Sequence, residues 1–80
     1  MQGTVVRAAN TRGLFLVELE TGAFAVFELL DSVSLAVGEH IAGGLDALGG
    51  ETLVLLSTGE RFEAYGQSGP SSLAACLRLL

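Results

Sequence analysis

The chain has 80 residues, half of them hydrophobic, with four arginines, no lysine and nine carboxylates, for a formal charge of −5. A chain of this size makes one domain, residues 1–80, and buries only roughly 60% of its unfolded surface. The apolar content excludes a disordered acidic tail. The charge works against nucleic acid and membrane surfaces, whose phosphates are held by Lys and Arg.

Half-hydrophobic composition with positive mean hydropathy gives more apolar surface than a small monomer readily hides, so a protein partner or a homo-oligomer is expected. Cys76 is the only cysteine, which rules out an intrachain disulfide, fits a reducing compartment and supplies no metal site by itself. Met1-Gln2-Gly3 is not a basic segment leading into an apolar core, and no apolar run reaches the ~18 residues of a spanning helix. The expectation is a cytoplasmic protein with no signal peptide and no membrane partner.

In chain order, Val5 and Val6 and then residues 14–17 read as two strands joined by the turn residues Asn10-Thr11-Arg12-Gly13. In the second strand, residues 14–20, Phe15, Val17 and Leu19 share one face and make the better core, with Leu14, Leu16, Glu18 and Glu20 opposite. Thr21-Gly22 turns the chain into a third strand over residues 23–29. Residues 30–36 are a polar connection with room for a helical turn. Residues 37–45 read as a fourth strand, 46–50 as a hairpin loop, and 51–56 as a fifth strand apolar enough for burial on both faces. Ser57-Thr58-Gly59-Glu60 is a second Thr-Gly turn, and residues 61–65 alternate as a sixth strand whose charges suit an edge.

After the break at residues 66–69, Pro70 suits the first position of a helix capped by Ser68 or Gly69, running over residues 70–80. Leu73, Leu77 and Leu80 form its apolar stripe, widened by Ala74, Cys76 and Leu79. The stripe is expected either to plug an open face or end of the barrel formed by residues 2–66 or to meet another chain, one hypothesis being that it packs over the outer face of the second and third strands, its own or a neighbour's. The fold class is therefore all-β: a small OB-fold-like barrel of five to six strands with a short C-terminal α-helix.

Gly3-Thr4-Val5, followed by Arg12-Gly13 and Leu14-Phe15-Leu16-Val17, resembles the opening of cold-shock domains in register and without a gap. Phe24-Ala25-Val26-Phe27 is similar to that family's third strand, and Leu35-Ala36-Val37-Gly38-Glu39-His40-Ile41 to the segment leading into its fourth. The resemblance covers residues 1–55. It implies a five-stranded OB barrel whose second and third strands display the ligand face, and hence binding of single-stranded RNA or DNA. The departures point elsewhere. Three of the family's base-stacking aromatics are Arg7, Leu14 and Leu16 here, and its third-strand histidine is Val26. Stacking contributes about 1–3 kcal/mol per base where a π face exists, and leucine has none.

Two functions follow as expectations. A divergent cold-shock-like module would bind single-stranded nucleic acid through Arg7, Arg12 and Phe24. A protein-interaction or oligomerisation module would instead use an exposed aliphatic patch of Leu14, Leu16, Phe24, Val26 and Phe27 together with the helix. An enzyme is not expected. His40 reads as an exposed or edge-strand histidine, Cys76 as a small buried hydrophobe and Ser68, Ser71 and Ser72 as capping residues; the carboxylates Glu18, Glu20, Glu28 and Glu39 read as solvated strand positions. Gly43-Gly44 and Gly49-Gly50 read as bulge and hairpin glycines, not phosphate cradles. Neither a cofactor nor a metal is called for.

Overall fold

Alternating burial sets the architecture of the computed structural model, which describes residues 1–80. Its strands are β1 (Gln2–Arg7), β2 (Leu14–Leu19), β3 (Phe24–Leu29), β4 (His40–Ala42), β5 (Gly49–Leu55) and β6 (Glu60–Gly66), followed by the helix α1 (Leu73–Leu77). Every pairing is antiparallel, and the order β1-β2-β3-β6-β5-β4 closes when β4 returns onto β1. The chain is thus a small all-β barrel with a short C-terminal helix.

The interior is one cluster of 13 buried side chains, among them Val5, Phe15, Val17, Leu19, Ala25, Phe27, Ile41, Leu53, Phe62 and Ala64. Phe15, Val17 and Leu19 are the inward face of β2, as their spacing implies. Phe15 lies directly across from Phe27, with ring centroids 6.0 Å apart, so the largest cross-strand pair sits in mid-barrel. Leu35 and Leu45 reach in from the connections.

Three strand assignments change. The sixth strand is not an edge. It pairs with β5 along its whole length and with β3 at Phe27↔Gly66, Glu28↔Tyr65 and Leu29↔Ala64. Its inward row of Phe62, Ala64 and Gly66 fills the gap, and closure removes the free edges that its charges would otherwise guard. The fourth strand shrinks to three residues, because Gly38 (φ 96°) and Gly43 (φ 144°) bend the backbone on either side of it. On β5 only one face is buried: Leu53 and Leu55 point inward, while Leu56 just beyond is exposed.

Beyond Gly66 the chain keeps following β3. Gln67 N donates to Val26 O at 2.9 Å, Val26 N to Ser68 Oγ at 2.9 Å, and Phe24 and Ser71 exchange backbone bonds of 2.9 and 2.8 Å. Residues 67–71 thereby satisfy the half of β3 that β6 does not reach. Because Ser71 is held in that bridge, the helix starts later than its proline suggests. Ser72 is the cap, accepting from Ala75 N at 3.1 Å, and α1 spans five residues rather than residues 70–80.

Candidate interaction site on the helix side of the barrel

The site begins with a bulge in β1. Val5 pairs with Val17, but the next pair is Arg7 with Leu16, so Val6 is an extra residue in the ladder. In a regular strand Val6 and Arg7 would point to opposite faces. Here both line the same depression on the outside of the barrel, beside α1. The bulge is what brings Arg7 to the helix side.

The adjoining turn is built by Asn10. Its Oδ1 accepts from Arg12 N at 2.9 Å and from Leu14 N at 3.1 Å, its backbone N–H donates to Leu14 O, and Gly13 closes the turn at φ 78°. That arrangement presents Arg12, whose Nη2 donates to the carbonyl of Leu79 at 2.9 Å. The turn between β1 and β2 is therefore tied to the end of α1.

Beneath the helix, Cys76 is fully buried against Leu16 and Val26, themselves a directly opposed pair on β2 and β3. Val6, Leu14, Phe24 and Leu80 pack around this second cluster. The Cys76 Sγ lies 3.9 Å from Ser68 Oγ, the hydroxyl that also accepts from Val26 N. Removing side chains the size of Leu16 and Val26 from water contributes about 1.5–3 kcal/mol each. These contacts and the backbone bonds at residues 67–71 make α1 an integral cover of the β2–β3 face.

This placement corrects the expected exposed patch. Leu16 and Val26 lie under the protein's own helix, and Phe27 faces the barrel interior against Phe15. Val26 and Phe27 are offered to no ligand, and Leu16, 1% exposed, shows only an edge in one depression beside α1. Leu14 and Phe24 are half-buried along the flanks of α1, while Arg7 and Arg12 are exposed as expected. The helix stripe is also rotated: Cys76 is its buried residue, and Leu73 and Leu77 remain 42% and 38% exposed.

Two depressions lie between α1 and the bulged end of β1. One, of about 230 Å³, is lined by Val6, Arg7, Leu16, Phe24, Leu73 and Leu77. The other, of about 460 Å³, is lined by Arg7, Ala8, Asn10, Leu14, Leu77 and Leu80. Arg7 and Leu77 wall both, so the two adjoin. No Asp or Glu side chain lines either one. The nearest in register, Glu28 opposite Leu14, accepts from Gln67 Nε2 at 3.3 Å. With Arg78 at the end of α1, three of the four arginines gather around this helix end of an otherwise acidic molecule. Asn10, Leu77 and Leu80 join the site through topology. The sequence marked them only as a turn residue and an apolar stripe.

Elsewhere, His40 is exposed on β4, its Nδ1 3.1 Å from Thr4 Oγ1, and it lines an open depression of about 560 Å³ with Val37, Gly38, Glu39, Leu56 and Ser57. Nowhere do three His, Cys, Asp or Glu side chains converge as a metal ion requires, and no helix is long and apolar enough to cross a membrane. Comparison with protein-family models, with curated proteins and with solved structures finds no match to this chain.

Proposed function

We propose that the chain is a non-catalytic binding module that engages a protein partner through the helix side of its barrel. The observation that carries this reading is Cys76 seated on Leu16 and Val26, which occupies the strand face an oligonucleotide would stack on and leaves Leu73 and Leu77 facing outward beside Arg7. Exposed leucines around a cationic anchor suit a protein contact better than a base, since arginine and apolar groups enrich interface cores. A photo-cross-linking amino acid in place of Leu73, with one in place of Glu60 on β6 as control, tests it in the cell of origin. Cross-linking to a protein from position 73 alone supports the reading; cross-linking only to nucleic acid, or to nothing, ends it.

A second reading keeps the cold-shock-like function. It is favoured by Arg7, which shares a depression with the half-buried Phe24, and by the exposed Arg12 of the β1–β2 turn, which would give a single strand phosphate contacts and one ring. Salt-sensitive binding of mixed oligonucleotides, weakened by Arg7→Ala and by Arg12→Ala, is its signature.

A further inference from the structure

Resting on the protein-partner reading, we propose that the paired depressions between α1 and β1 hold a short peptide segment in which an apolar side chain stands next to a carboxylate. The apolar residue enters the larger depression between Leu14, Leu77 and Leu80. The carboxylate meets Arg7, a residue that walls both depressions and whose guanidinium suits planar, bidentate recognition. Asn10 reinforces the polarity of the match. Its carboxamide oxygen is used by the N–H groups of Arg12 and Leu14, so the NH₂ is the end of this lining residue left free to donate.

Charge complementarity selects this occupant over the others. A second copy docking by the same face would bring the patch that holds Arg7, Arg12 and Arg78 against an identical patch in an isologous contact, which its like charges oppose. A nucleic acid would meet leucine walls where it needs stacking partners, in a molecule carrying −5 overall. A peptide carboxylate faces that overall charge less severely. Screening over about 8 Å at physiological ionic strength separates the arginine end from acids on the far side of a 30 × 27 × 22 Å body.

The test pans a random peptide library against the intact chain, then measures a fluorescent synthetic peptide of the enriched sequence by polarisation. Enriched peptides should place Asp or Glu beside an aliphatic or aromatic residue, and Arg7→Ala should weaken the labelled peptide about tenfold, as loss of a charge-assisted bond does. Leu77→Ser, at a half-exposed position, should weaken it comparably while the far-ultraviolet spectrum is unchanged. Enriched peptides without a carboxylate, or affinity indifferent to Arg7→Ala, overturn the inference even where Leu73 cross-links to a protein. Two further outcomes also overturn it: an oligothymidylate probe that competes for the groove, or a concentration-dependent dimer abolished by Leu77→Ser. Loss of the Leu73 cross-link together with the peptide signal overturns the protein-partner reading as well.

Discussion

The Arg12 guanidinium donates to the backbone carbonyl of Leu79 at 2.9 Å, joining the first turn of the barrel to the end of its helix across 67 positions of sequence. Both partners are exposed, so the bond contributes near the lower end of the usual range, about 0.5–1 kcal/mol. Arg12→Ala is therefore expected to speed hydrogen exchange at Leu79 and Leu80 while amides of β2 and β3 stay protected. Equal acceleration in β2 would mean that the bond holds the barrel rather than the helix end.

Gly3 has no room for a side chain. A Cβ there would lie 2.6 Å from Val17 Cγ1 and 2.9 Å from Glu18 O, in a packed interior that yields little. Gly3→Ala should destabilise the barrel by about 1–3 kcal/mol, as overpacking does. Gly50, with open space at its Cβ position and no positive φ, serves as the control. Gly50→Ala should stay within about 0.5 kcal/mol of the parent in urea titration. Equal effects at the two positions would remove the steric explanation.

How much of this was legible in the sequence depended on whether a signal was local. Phe15, Val17 and Leu19 announced an inward face because period-two spacing survives any choice of partner. The Thr-Gly turns placed β2 against β3 and β5 against β6 for the same local reason. The bulge at Val6 carries no glycine or proline, and it exists only in register with Val17 and Leu16. Pairing of residues 67–71 with β3 was equally hidden, and it displaced the helix start from Pro70 to beyond Ser72. The aliphatic outer face at Leu16 and Val26 and the apolar helix were each visible separately. Their complementarity suggested that one could cover the other, and the choice of the chain's own helix over a neighbour's is a tertiary fact.

Oligonucleotide binding follows from that cover. With Leu16 and Val26 buried, mixed-sequence single-stranded DNA should show no saturable binding to the intact chain even at low salt. Saturable binding that falls with salt and with Arg7→Ala would instead favour the nucleic-acid reading.

Association state offers a separate check. Because the arginine end repels its own copy, sedimentation at low salt should give a single species of the 8.2 kDa chain. A dimer that strengthens as salt is lowered would contradict the charge argument.

The cover itself is tested most directly by the reactivity of Cys76, the one thiol, whose side chain is fully buried between α1 and the Leu16–Val26 pair. If α1 opens only with the barrel, labelling by a water-soluble disulfide reagent should be at least about 10³-fold slower in native buffer than in denaturant, in keeping with the stability of small domains. Rapid labelling while the amides of β2, β3 and β6 remain protected would show a helix that leaves its face readily, and would contradict a closed β2–β3 surface.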